Sequence, residues 1–390
     1  MLRRPDNGTL SEIATTERIV PLDRSRTFIT LSVVLYHSVI NYTHYGIGGD
    51  RMRWIGFDLV VLFNDSYFMA CMFLISGLFV HDSLVRRGPA NFLERRAWRL
   101  GIPFLASIFL IMPIAYYRYY VSEFDVARFF WHMVTVGPWS PGSAWFLPVL
   151  LAFDALAALG WAIAPGAFDA LGRSIDALRE RPASAFAAFL LFSVVIYLPM
   201  RLAFGDSSWL TIGHYPLVIQ TSRILLYAGY FFTGVAIGAV KLREGMLSQT
   251  GALARRWLQW FATGLVFYAA IVFLVYVHRS GMVDLRSPPL WWHAAYGLAF
   301  ALFSASMTFA VAAFFINFAK SSMRLLDAMQ PSAYGIYLLH FIPLIWMQYF
   351  VSDPAWPAFV KFAIVFAGTL SSSWAATIAL RKIPALARMI

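Results

Sequence analysis

An arginine and a histidine eleven positions apart, Arg26 and His37, stand in the stretch DRSRTFITLSVVLYHSVINY, residues 23–42, which otherwise reads as a membrane helix. On an α-helix eleven residues return to within about 20° of the starting direction and advance ~16 Å. One helix face therefore carries a guanidinium near one membrane surface and an imidazole ~15 Å deep, close to the midplane. An ionisable group in hydrocarbon costs ~2.5–3.5 kcal/mol or more. His37 either repays that through a helix–helix hydrogen bond or acts on a substrate. The chemistry that suits it is proton removal from a hydroxyl, because imidazole titrates near neutrality.

Other costly groups extend the constellation. His340 lies at similar depth in a distant apolar stretch, whereas His44, His81, His132, His214, His278 and His293 fall at span ends or in loops. Asn41, one turn beyond His37 on the same face, either fixes the imidazole tautomer or serves as packing glue. Asp154, in the middle of an apolar run, is a candidate to orient an imidazole by accepting its N–H. Asp65 and Arg223 either neutralise one another or meet substrate. ERRAWRLGIP, residues 94–103, places Arg95, Arg96 and Arg99 before a span. These are either topology charges or paired donors suited to phosphate oxygens. FLISGLF, residues 73–79, puts Ser76 and Gly77 where small side chains let helices approach closely.

No metal-ligand spacing appears, so no metal is expected, and Cys71, the single cysteine, reads as a small buried hydrophobe. No glycine-rich phosphate loop appears either, which argues against an ATP-driven pump or a nucleotide-binding oxidoreductase. Sixty per cent of the 390 residues are hydrophobic and 13% charged, the balance of an integral membrane protein. Apolar runs of ~20 residues recur, each long enough to cross a ~30 Å hydrocarbon core. Alternating ten-residue segments of an outer-membrane barrel are missing. The expected fold is thus an all-α polytopic membrane protein. Its ten helices are placed roughly at 27–45, 58–80, 101–120, 143–164, 184–204, 215–240, 257–278, 294–318, 332–350 and 358–380.

With both termini cytoplasmic, 21 of the 31 lysines and arginines fall on cytoplasmic segments and 7 on outer ones. The net charge of +11 is then mostly a topology signal, and no nucleic-acid partner is expected. Residues 1–22 read as a polar cytoplasmic segment without the apolar core of a signal peptide, 23–380 as the membrane domain and 381–390 as a basic tail.

These features resemble the acyltransferase-3 family of bacterial membrane acyltransferases across nearly the whole chain. The resemblance rests on Leu22-Asp23 with Arg26 and His37, on FLISGLF, on Arg96 and Arg99 running into RLGIPF, on Trp145-Phe146-Leu147, and on Tyr334, Tyr337 and His340. The glucan biosynthesis protein C branch is the most similar. The resemblance implies a multi-pass protein of the bacterial inner membrane that moves acetyl or succinyl from cytoplasmic acyl-CoA to a hydroxyl of an extracytoplasmic glucan or other carbohydrate. No nucleotide cofactor beyond that donor is expected. In this reading His37 is the base, and Asn41, Asp154, Tyr337 and His340 orient it or donate to the oxyanion. Arg26, Arg95, Arg96, Arg99 and Ser76 meet the donor. Direct transfer and an acyl-histidine intermediate are both open. The arginines and His37 are expected to line one conduit across the membrane. The alternative is a proton-coupled transporter or flippase with His37 and His340 as relay, which repeat symmetry and matched broken helices would mark. The sequence has neither.

Overall fold

A computed structural model describes residues 20–45, 50–213, 216–240, 245–248, 251–283, 288–387 and 389. The expected N-terminal segment therefore lies outside the described residues up to position 19, as do Arg3, Arg4, Arg18, His214, Lys241, Arg243, Arg286 and Arg388.

The chain is an all-α polytopic membrane protein. Among the described residues, eight helices are long and apolar enough to cross a bilayer: Ile55–Gly77, Val80–Tyr119, Gly142–Ile163, Pro182–Phe204, Thr221–Ala239, Trp257–Arg279, Leu290–Asn317 and Ala358–Leu380. Two of the ten expected spans fall outside that class for visible reasons. The first, α1 (Val20–Ile40), carries Asp23, Arg24 and Arg26 in its opening turns. The ninth is divided at His340 into Ala333–Leu339 and Phe341–Phe350. Pro343 has no N–H to bond the carbonyl of Leu339, four residues back, so the helical ladder lapses there. The expected span 215–240 begins instead at Thr221. Residues Leu217–Gln220 are a strand, β2, paired antiparallel with β1 (Trp209–Ile212), and this hairpin was not foreseen.

Beyond α1 the chain passes through α2 (Ile55–Asp65), α3 (Phe68–Gly77) and α4 (Val80–Arg96). The last breaks at Gly88, whose φ of +70° is outside the helical range, with Pro89 opening the second arm. Helix α3 packs backbone to backbone on Ile224–Ala239. A Cβ on Gly77 would meet the Phe231 carbonyl oxygen, and one on Gly234 or Gly238 the carbonyls of Leu74 or Leu78. Only glycine permits that approach, so Gly77 does what the sequence suggested for it. Phe73, Phe231, Phe300 and Phe303 fill the core around this seam at 0–2% exposure. Large apolar side chains such as Leu191, Val195 and Phe273 remain exposed, as helices facing lipid require.

Arg24 and Arg26 point to opposite faces of α1, since two residues turn a helix by about 200°. Arg24 is 6% exposed and grips Asp327 through Nε (2.6 Å) and a terminal nitrogen (2.8 Å), and also donates to the carbonyls of Phe318 and Ala319. It fastens α1 to the chain that follows Leu290–Asn317 and caps carbonyls that helix leaves free. Its guanidinium holds the Asp327 carboxyl below the usual carboxylate range.

Candidate active site

His37 occupies the last turn of α1, where it meets His340 in the broken ninth helix. Their rings approach with Nε2 of His340 3.3 Å from Nδ1 of His37, centroids 5.3 Å apart. His340 is fully buried, and its Nδ1 lies 2.7 Å from the backbone carbonyl of Tyr337. A carbonyl only accepts, so Nδ1 of His340 carries its proton and Nε2 presents a lone pair. Nδ1 of His37 must then donate to it. The chain of bonds leaves Nε2 of His37 without a proton, the form a general base needs. Tyr36 and Phe341 stand edge-on to the His37 ring and limit its rotation. Gln348 donates to the His37 backbone carbonyl at 3.1 Å, satisfying an acceptor that the end of α1 leaves free.

Below this pair lies a cavity of about 1340 Å³, open at the arginine-rich end. Helix α1 contributes Arg26, Thr30 and Val33 to its wall, on the face that continues to His37. Arg26, Arg87, Arg95, Arg96, Arg99 and Arg381 line it, opposed on that wall, among the described residues, by a single acidic one, Asp23. Arg26 lies 3.8 Å from Asp23 and packs over the Phe79 ring at 4.3 Å. Arg96 stands over Phe92 and 3.2 Å from Asp154, which is fully buried. That contact is an ion pair by distance, although its angles are not those of a hydrogen bond.

The helix bearing these arginines widens to π geometry over Ala97–Gly101, which redistributes the side chains of its last turns around the axis. Pro103 cannot donate to the Arg99 carbonyl four residues back. The Tyr334 hydroxyl takes that role at 2.8 Å. Tyr337 donates to the Ser143 carbonyl at 2.5 Å, just ahead of Trp145-Phe146-Leu147. Tyr334, Tyr337 and His340, three residues apart in turn, thus stitch the ninth helix to two neighbours and to His37.

The structure gathers most of the expected residues but reassigns several. Asn41 lies in the turn beyond α1, and it is His340 that meets Nδ1 of His37. Asp154 engages Arg96 rather than an imidazole. The Tyr337 hydroxyl donates its proton to the Ser143 carbonyl, which leaves none on that oxygen for a second acceptor. Asp65 and Arg223 neutralise each other in a two-point pair at 2.5 and 3.1 Å. Ser76 lines the cavity. The expected continuous conduit does not appear as one cavity: Val33, Met69, Met72, Phe146, Leu147 and Tyr337 are among the lining residues of the arginine cavity, and neither His37 nor His340 lines it. Val33 is one turn, ~6 Å, short of His37. The His37 ring nevertheless faces the interior pair and not lipid.

Sequence reasoning missed Gln348, Arg87 and Arg381. Gln348 left a signal, a lone amide in the apolar run FIPLIWMQYF; the two arginines left none beyond their charge. Among the described residues no group of three or more His, Cys, Asp or Glu is placed to hold a metal. The family model for acyltransferase family 3, described as an acyltransferase domain, matches residues 20–378. Neither a curated protein nor a solved structure matches the chain.

Proposed function

The chain belongs to the acyltransferase-3 family and is a membrane-embedded acyltransferase that transfers groups other than amino-acyl groups; from that premise we propose an O-acyltransferase drawing on acyl-CoA. The arginine-rich end faces the cytoplasm of a bacterium, by the bias of basic residues toward that side. Coenzyme A is a phosphate-bearing head on a long thin arm. Arg26, Arg95, Arg96 and Arg99 suit the head, since guanidinium forks match phosphate oxygens, and the cavity narrowing toward Val33 suits the arm. Met69 and Met72 line the cavity, and such unbranched, adaptable side chains give way when the thioester advances the last turn.

Nε2 of His37 then takes the proton of the acceptor hydroxyl as that oxygen bonds the thioester carbon. The carbon–sulfur bond breaks, and the same proton passes from Nε2 to the departing thiolate, giving ester and free coenzyme A. The passing positive charge on His37 is stabilised by His340, which keeps a lone pair directed at Nδ1–H. Holding both reactants in a site closed to water contributes through proximity. Acetyl or succinyl is the acyl group, and an extracytoplasmic glucan or related carbohydrate is the acceptor, as in the glucan biosynthesis protein C branch that the motifs resemble.

The observation that carries this reading is the chain of contacts from His37 to His340 to the Tyr337 carbonyl, from which the Nδ1–H tautomer of His37 follows. A proton relay through the histidine pair, as in a transporter, is disfavoured by the same bonds, because a backbone carbonyl ends the chain and passes no proton on. The test is purified protein offered radiolabelled acetyl- and succinyl-CoA. Label transfer or slow donor hydrolysis, abolished in folded His37→Ala, supports the enzyme. Equal donor consumption by wild type and variant defeats it.

A further inference from the structure

Trp98 has no part in the chemistry described so far. Its indole is 62% exposed yet lines the arginine cavity. The other strongly exposed tryptophans, Trp54, Trp131, Trp209, Trp291 and Trp356, all lie on or next to segments joining helices at the opposite end of the protein. An aromatic belt marks both surfaces of a bilayer. A solitary exposed indole at one end, set among guanidiniums at a cavity mouth, calls for a different cause.

Its surroundings are graded with depth. At the floor are Val33, Met69 and Leu147. Above them, Arg26 and Arg96 are half-buried, each already stacked on a phenylalanine. At the mouth, Arg87, Arg95 and Arg99 are exposed beside Trp98. Trp98 sits in the π turn Ala97–Gly101, between Arg95 and Arg99 in sequence. A ligand complementary to this gradient has a thin uncharged arm, several anionic groups and a flat aromatic end. An indole offers a π-face that any nucleobase can stack on.

We propose that Trp98 is the stacking platform for the nucleobase of the donor, with Arg87 and Arg95 taking the phosphates next to it. The assignment rests on the acyl-CoA reading above and names the residues that recognise the nucleotide end. It explains why a cavity whose deep cations already suffice for a short phosphorylated arm extends to a mouth with further cations and one aromatic face.

The test compares two donors on the full chain in lipid nanodiscs. One is acyl-CoA; the other is the matching acyl-4′-phosphopantetheine, which keeps thioester, arm and one phosphate but lacks the nucleotide. Trp98→Ala raises KM for acyl-CoA by about 5- to 150-fold, the worth of one stacked base, and leaves KM for the truncated donor as in wild type. Trp98→Phe retains most of the preference, because a phenyl ring still presents a face. Equal loss on both donors identifies Trp98 as a lipid anchor and overturns the proposal; so does an unchanged KM for acyl-CoA. A wild-type protein that uses neither donor overturns the acyl-CoA reading itself.

Discussion

Replacing His340 with leucine removes the lone pair that Nδ1–H of His37 donates to, and the cost follows from the geometry. In the resting state one part-buried hydrogen bond of 3.3 Å is lost, and the His37 ring keeps only the Val33 backbone carbonyl as a hydrogen-bond partner. In the transition state the loss is larger, since a hydrogen bond to a charged group contributes about 1.5–3 kcal/mol. At 1.36 kcal/mol per tenfold, kcat falls by about 10- to 150-fold. KM for the donor stays put, because His340 does not line the cavity that holds the arginines. His37→Ala removes the base altogether and costs about 10²–10⁴ in kcat. The double variant is then no slower than His37→Ala alone, since His340 acts only through His37. His340→Gln restores part of the rate, because its amide oxygen accepts from Nδ1–H. The assay is single-turnover acyl transfer on variants matched for thermal stability. Additive losses in the double variant, or a His340→Leu enzyme as fast as wild type, refute the reasoning.

Three further outcomes are expected. Arg96→Ala and Arg99→Ala each weaken acyl-CoA binding by about tenfold or more, at about 1.5–3 kcal/mol per charge-assisted bond, while acceptor KM moves little; titration calorimetry with coenzyme A and acceptor kinetics check this, and the reverse pattern removes the phosphate role. Because Arg24 lowers the Asp327 pKa in the folded state, the pair's stabilisation is complete above the carboxyl's unfolded value of about 3.9 and is lost as pH falls through the lower folded value. Asp327 is 39% exposed, so solvent screens the pair to at most ~1 kcal/mol. Thermal melts taken from about pH 5 down to about pH 2 check the sign, and Asp327→Asn flattens that part of the profile. Gly234→Ala forces its methyl into the Leu74 carbonyl and costs roughly 1–3 kcal/mol or more by overpacking, read as a lowered melting temperature; a neutral outcome contradicts the close seam.

Much of this architecture was legible because hydrocarbon is an unforgiving solvent. Spans declare themselves by length and apolarity, and a histidine or aspartate within one has to be paired or put to use. That logic found His37, His340, Arg26 and Asp154 without coordinates. It could not assign partners, because the costliness of a buried group says nothing of which neighbour relieves it. Asp154 thus reads in the sequence as a partner for an imidazole, whereas in the structure it meets Arg96. Asn41 was favoured by helical spacing, but α1 ends at Ile40, one residue before it. The break at His340 was in principle readable from Pro343. The β1–β2 hairpin was hidden inside an apolar run that periodicity does not distinguish from a helix. The reach of the cavity depends on how Met69 and Met72 pack, which no local pattern records.

The most direct measurement is the protonation pattern of the His37 ring. Solid-state NMR of ¹⁵N-histidine-labelled protein in bilayers, with His37→Ala subtracted to isolate its signals, reads each ring nitrogen separately. The account predicts a proton on Nδ1 and none on Nε2 near neutral pH, with the Nδ1 signal shifted in His340→Leu as that acceptor is lost. A resting enzyme with its proton on Nε2, or a pattern indifferent to His340, contradicts it.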